Sequence, residues 1–199
     1  ENFLVPGMLR ALMDERLSYS SKLFDLAAVN YLWSRDRLPD TKHLELIYKS
    51  RQFFLYLNKR AWPYYYFADR IETIGAYENL YKAEQGTAYL WEGADKITLP
   101  IKSPIRKRRL TLEKFEHGDV EFIYSSDEQE FLVIADSWHP NWLASVNGEE
   151  VPILKVNGIF KGILLPPGDG RVHLIFNNTP YNFGILISAV SWSLFLLGW

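Results

Sequence analysis

The chain has 199 residues, with 22 Lys and Arg against 24 Asp and Glu. Its formal charge of −2 excludes a protein built mainly to bind nucleic acid, which needs a positive field to displace phosphate counterions. A hydrophobic fraction of 48% with 16% aromatics excludes general disorder, and the absence of Cys excludes disulfide scaffolds, thiolate metal sites and cysteine nucleophiles.

In chain order, helical pattern gives way to strands. Leu4, Met8, Leu9, Leu12 and Met13 recur at helical spacing near Pro6-Gly7. A second short helix is expected from a Ser20 or Ser21 cap through Leu23, Phe24, Leu26 and Ala27. Residues 1–16 hold Asp14, Glu15 and two Arg, without the apolar core of a signal peptide. Asn30 to Ser34 reads as a strand, His43 to Lys49 and Phe53 to Leu57 as a hairpin around Ser50-Arg51-Gln52, and Tyr64 to Ala68 as another strand. Trp62-Pro63-Tyr64-Tyr65-Tyr66-Phe67 admits two readings: a strand with a packed face, or an aromatic platform for a ligand or membrane interface. Tyr77 to Glu84 is expected to make one or two helical turns.

After Gly86 short strands follow one another. They are expected at 87–91, 109–116, 120–125, 130–136, 142–146, 151–156, 159–165 and 171–176. The turns between them include His117-Gly118-Asp119, Asn147-Gly148, Asn157-Gly158 and Pro166-Pro167-Gly168-Asp169-Gly170, and Asn-Gly is a strong hairpin signal because both residues tolerate positive φ. Phe131 to Ala135 is apolar at every position, as in a central strand covered on both faces. Val172, Leu174 and Phe176 alternate with Arg171 and His173, as in a strand with one wet face. The spacing predicts a mainly antiparallel sandwich or jelly-roll-like module.

From Val172 to Trp199 there is no Lys, Arg, Asp or Glu, and from Phe183 the chain is nearly all apolar. A bilayer core of ~30 Å needs about 20 apolar helical residues. The run falls slightly short of that and stops at the end of the sequence, as a span cut short would. Ser188, Ser191 and Ser193 can bond back to helix carbonyls, and Tyr181 and Trp199 sit where interfacial aromatics lie. The expected span presents Phe183, Leu186, Val190, Leu194 and Leu197; the competing reading is a C-terminal helix buried in its own domain. The whole is an α+β chain. Residues 1–85 form a helical and mixed part, 86–180 a β-sandwich-like module, and 181–199 a transmembrane helix.

Asp136-Ser137-Trp138-His139-Pro140-Asn141-Trp142, then Val146-Asn147-Gly148, resembles the YfhO-type bacterial membrane protein family. In that family a strand ends in Asp, a few aromatic or polar residues and Pro-Gly-Trp, before an Asp-Gly turn. The similarity continues through Val156–Ile163, Leu165–Gly168 and Val172–Phe176, and upstream through Leu26–Leu32 and Leu57–Pro63. Asn141 and Asn147 stand where the family has Gly and Asp, and Tyr64 where it has a second Arg. The resemblance implies a polytopic protein akin to lipid-linked-sugar glycosyltransferases, with this stretch as its extracytoplasmic C-terminal domain. The family's expected catalytic acid lies on an early loop outside this sequence, so no catalytic residue and no cofactor is assigned here. The expected partners are membrane lipid, a lipid-linked sugar and other subunits of a membrane complex, and not nucleic acid.

Two clusters are candidate sites. Asp136, Trp138, His139 and Trp142 could form a sugar patch, the rings stacking on apolar sugar faces while the carboxylate accepts hydroxyl protons. The alternative is that Asp136 satisfies its own turn and the rings pack the sandwich. Lys102, Arg106, Lys107, Arg108 and Arg109 could meet anionic head groups, or form a solvated loop balanced by Glu113, Glu116 and Asp119. His43, His117, His139 and His173 lack ligand spacing, so no metal site is expected.

Overall fold

The structure, a computed structural model, describes residues 22–39, 42–94, 97, 107–179, 184–185, 187–188 and 190–193. The first predicted helix, and the Ser20 or Ser21 cap of the second, lie outside the described residues. The second helix is α1 (Lys22–Leu26), and the expected turn or two over 77–84 is a 3₁₀ helix (Tyr77–Lys82).

The bulk is a sandwich of two sheets. A five-stranded antiparallel sheet has the order β11 (Glu149–Val151), β10 (Trp142–Val146), β14 (Gly168–Phe176), β8 (Asp119–Ser126), β7 (Arg108–Glu116). A six-stranded sheet runs β4 (Tyr65–Ala68), β9 (Glu130–Ser137), β13 (Phe160–Leu165), β12 (Leu154–Val156), β6 (Thr87–Trp91), β5 (Arg70–Ile74). Its pairs are antiparallel except β5 and β6, which the intervening 3₁₀ segment leaves parallel. Strands from both sides of residue 85 share this sheet, since β4 pairs with β9 and β5 with β6.

Alternation along β9 places the core. Leu132 and Ile134 face the five-stranded sheet, meeting Val120, Phe122, Tyr124, Val172 and Leu174. Phe131 and Val133 face the other way, into a second cluster with Leu23 and Leu26 of α1, Trp62, Leu80 and Phe160. The central strand is therefore covered on both faces, as its unbroken apolar run requires. The run 62–67 is also divided between the faces: Phe67 belongs to the inter-sheet core, Trp62 to the other.

Turn chemistry behaves as its residues dictate. Asn147 and Gly148 have φ of 54° and 88° and join β10 to β11 in a two-residue hairpin. Asn157, at φ 50°, is fully buried, accepting from Tyr89 N–H at 2.9 Å and donating to the Tyr66 hydroxyl at 3.0 Å. The strand expected over 151–156 is instead two, because Pro152 has no N–H for the ladder. The chain crosses there from β11 in one sheet to β12 in the other.

A third sheet, β1 (Tyr31–Ser34), β3 (Phe54–Asn58), β2 (Leu44–Lys49), stands apart from the sandwich. Its base is fixed to α1: the buried Asp25 carboxylate accepts from Asn58 Nδ2 at 2.9 Å and from Arg60 Nε at 3.0 Å, and its carbonyl accepts from Trp62 N–H at 2.8 Å.

Phe183, Leu186, Leu194 and Leu197 lie outside the described residues. Val190 is helical and 51% exposed, as Ile185, Ile187 and Trp192 are exposed. Among the described residues no helix is long and apolar enough to cross a membrane.

Candidate functional site

One irregularity in a regular pairing builds the site. In the β9–β13 ladder Ile134 pairs with Lys161, but the next residue of β13 toward its start, Phe160, pairs with Ser137. Ala135 and Asp136 are thus an unmatched bulge, a device that re-aims side chains at sheet ends and beside sites. Along β13 the alternation puts Lys161 on the same side as Ile163 and Leu165, facing the inter-sheet core. Lys161 is only 1% exposed, and the bulged Asp136 meets it: Nζ donates to Oδ2 at 2.5 Å. The Lys161 ammonium also lies 3.5 Å from the centroid of the Trp142 ring on the facing sheet.

The other predicted residues gather around this pair. Trp142 opens β10 opposite Phe176 of β14, and their rings pack edge to face at 5.3 Å. The His139 ring lies 5.3 Å from the same Phe176, and its Nδ1 accepts from Asn141 N–H at 3.1 Å. Trp138 Nε1 donates to the Ile153 carbonyl at 3.0 Å, and Asp136 Oδ1 accepts from Ser137 N–H at 2.7 Å. All four line a cavity of about 640 Å³ with Tyr64 and Phe115, whose rings meet edge to face. A second cavity, about 260 Å³, also has Trp138, His139 and Trp142 in its wall and extends to Glu150.

The residues of this cluster serve the fold and also line the cavity. Asp136 does satisfy its own turn, and Trp142 does pack between sheets, yet the four side chains remain partly exposed around one aromatic cavity. Each carboxylate oxygen has one donor and capacity for a second. The sequence alone does not mark Lys161 as a member, and it places Tyr64 in the separate aromatic run 62–67. The signal for Lys161 was a lone charge in the apolar run Phe160-Lys161-Gly162-Ile163-Leu164-Leu165.

Burial sets the electrostatics. It pushes the Lys161 amine below the usual lysine range, and the hydrogen bond and charge of Asp136 only partly oppose this. Burial pushes the Tyr64 phenol up to about 12, with the Asp136 charge adding to it. The folded chain thus keeps the Tyr64 proton where an unfolded chain, with an ordinary value of 10.0, releases it. This contribution is fully present below pH 10.0 and is lost as pH rises toward 12. Wild type is accordingly expected to lose more thermal stability between pH 10.0 and about 12 than Tyr64→Phe, read by parallel melts. An equal loss in both chains would place the phenol in water.

The basic run is not brought to this cavity as a unit. Lys102 and Arg106 lie outside the described residues. Arg108 bridges Asp69 at 2.9 Å and the fully buried Glu130 at 3.8 Å, and lies 5.9 Å from the Phe67 ring, so its charge is committed within the fold. Lys107 and Arg109 are exposed. Pairing of β8 with β14 sets His173 opposite Glu121, and their ligand atoms lie with that of Asp119 within 4.8 Å of one another. Spacing along the chain could not show this cross-strand grouping. Lys114 bonds Asp119 at 2.6 Å and Arg171 bonds Glu121, so the carboxylates are neutralised by cations of the same sheet face.

No family model, no curated protein and no solved structure matches the chain.

Proposed function

We propose that this chain is a membrane-anchored, extracytoplasmic accessory module of a glycosyltransferase-like membrane protein, and that its aromatic cavity holds a lipid-linked sugar or acceptor in position. The observation that carries the reading is the convergence of Asp136, Trp138, His139 and Trp142 on one cavity of about 640 Å³. Indole faces suit the apolar faces of sugar rings, and a carboxylate and imidazole suit hydroxyls. The Lys161 amine is sealed beneath Asp136, so the carboxylate rather than the ammonium faces the cavity. The exposed Ile185, Ile187, Val190 and Trp192 support the anchor, since the sandwich does not cover them.

The test is a calorimetric titration of the chain with soluble mono- and oligosaccharides of glucose, galactose, mannose and N-acetylglucosamine. At least one is expected to bind, and Trp138→Ala to weaken it about tenfold, the worth of one aromatic contact. Trp33→Ala, remote in the third sheet, is expected to leave binding unchanged. Binding that survives both Trp138→Ala and Trp142→Ala, or no binding at all, overturns the sugar role. A scaffold role within a larger membrane complex is then the reading left, with the Trp138 hydrogen bond to Ile153 and the Lys161 ammonium over the Trp142 ring serving the fold.

A further inference from the structure

The third sheet is rooted at one end and bare at the other. Leu44, Tyr56 and Asn58 are buried at its base, whereas every residue of β2 from Glu45 to Lys49 is exposed. At the far end Trp33 and Tyr48 flank Phe53, with ring centroids 6.4 Å and 5.7 Å away, and are 66% and 54% exposed. Tyr31, two residues before Trp33 and so on the same face, is 62% exposed. The Ser50 hydroxyl accepts from the N–H groups of Gln52 and Phe53, at 3.1 Å and 3.0 Å, so the turn holds this end in one shape. Arg35, Lys49 and Arg51 at this end are exposed, with Asp36 the exposed carboxylate beside them, and Lys49 Nζ lies 5.8 Å from the Phe54 ring.

Charge separates this element from the rest. Residues 31–60 hold seven Lys or Arg against three Asp or Glu, and since Lys59 pairs with Glu45 and Arg60 with Asp25 at the base, the excess at the far end rests on Arg35, Lys49 and Arg51. From Trp and Tyr at an exposed end, with exposed cations beside them, we infer that this end of the third sheet docks into the head-group region of an anionic phospholipid bilayer. Amphipathic rings settle at that depth, and long basic side chains reach the phosphates around them. Tyr31, Trp33, Leu46, Ile47 and Tyr48 are all exposed along this sheet, and the basic residues at its far end favour an anionic lipid surface over a second copy of the chain, which would bring like charges together. The contact is carried by the third sheet alone and does not require the C-terminal segment to be in lipid.

The absence of Cys makes the test direct, because one introduced Cys carries one label. The full chain bearing Tyr48→Cys, labelled with a polarity-sensitive nitrobenzoxadiazole dye, is mixed with vesicles of phosphatidylcholine alone or with phosphatidylglycerol. The dye is expected to brighten and shift to the blue on the anionic vesicles only, and to return to its aqueous signal in high salt. A label at the exposed Glu150 is expected to stay aqueous throughout. Adding Arg35→Ser, Lys49→Ser and Arg51→Ser is expected to lower the partition coefficient at least tenfold. The inference is overturned if the dye at position 48 stays aqueous on the anionic vesicles, whether or not the chain sediments with them, or brightens equally on neutral ones. It is also overturned if the dye is buried without vesicles as protein concentration rises, which assigns the face to a second copy. A separate label at Val190→Cys reports the anchor: an aqueous signal there with a buried one at 48 fails the anchor and leaves the docking face standing.

Discussion

Phe131→Ala is expected to cost about 3–5 kcal/mol, a large share of the ~5–15 kcal/mol that holds a typical domain folded. Phe131 is fully buried on the central strand β9, and its ring occupies the space over Gly162 on the neighbouring β13. A Cβ built on Gly162 would come within 2.5 Å of Phe131 Cζ and 2.8 Å of Val156 Cγ1. The glycine is thus small because the ring is large, and ring and backbone seal the face that α1 covers. Deleting the ring leaves a void bounded by backbone on one side, which cannot collapse. Gly162→Ala alone is expected to cost about 1–3 kcal/mol through overpacking. Combined with Phe131→Leu it is expected to cost less than the sum, because each change relieves the other. Urea unfolding at constant m-value measures these variants and Phe131→Leu alone. A Phe131→Ala loss below about 1 kcal/mol would show that this face is not packed as described.

Asp136→Ala is the second large effect, and it is expected to exceed Lys161→Met. Breaking a fully buried ion pair costs about 3–5 kcal/mol because the surviving charge is stranded. Asp136 is 36% exposed, so about 2–3 kcal/mol is expected here. Its removal strands an ammonium that is 1% exposed. Lys161→Met keeps the stem against Trp142, removes the costly charge, and leaves a carboxylate that still bonds Ser137 N–H and water. A loss of about 1 kcal/mol or less is expected. The pH dependence adds a check. The folded Lys161 sheds its proton below the ordinary 10.5 of the unfolded chain, so between those two values the unfolded state binds more protons. Stability from this group therefore rises with pH in that window, and Lys161→Met is expected to lack the rise. Equal destabilisation by Asp136→Ala and Lys161→Met would mean the pair is solvated on both sides.

The Asp136 pair also bears on the cavity. If the carboxylate is held by Lys161 for a sugar hydroxyl, Lys161→Met should weaken binding with little loss of fold. Asp136→Ala should weaken both. That contrast separates a positioning role for Lys161 from a purely structural one.

Much of the fold is legible along the chain because its causes are local. Alternation marked β14, the unbroken apolar run marked β9 as covered on both faces, and Asn147-Gly148 fixed a two-residue hairpin through φ angles that few other pairs tolerate. β5 was missed because Arg70-Ile71-Glu72-Thr73-Ile74 is mostly wet, and only its parallel pairing with β6 makes it a strand. Pro152 was visible, but not that the chain changes sheets there. The candidate site divides the same way. Its Asp and aromatic residues stood out as a cluster of seven consecutive positions. That a bulge of two residues turns Asp136 onto Lys161, that Trp142 covers that ammonium from the opposite sheet, and that Tyr64 and Phe115 close the cavity depend on register between strands up to some seventy residues apart. Residue type and spacing fix what each strand can bury. Only pairing across the sheets decides which buried charge meets which partner, because a shift of one residue reverses every side chain.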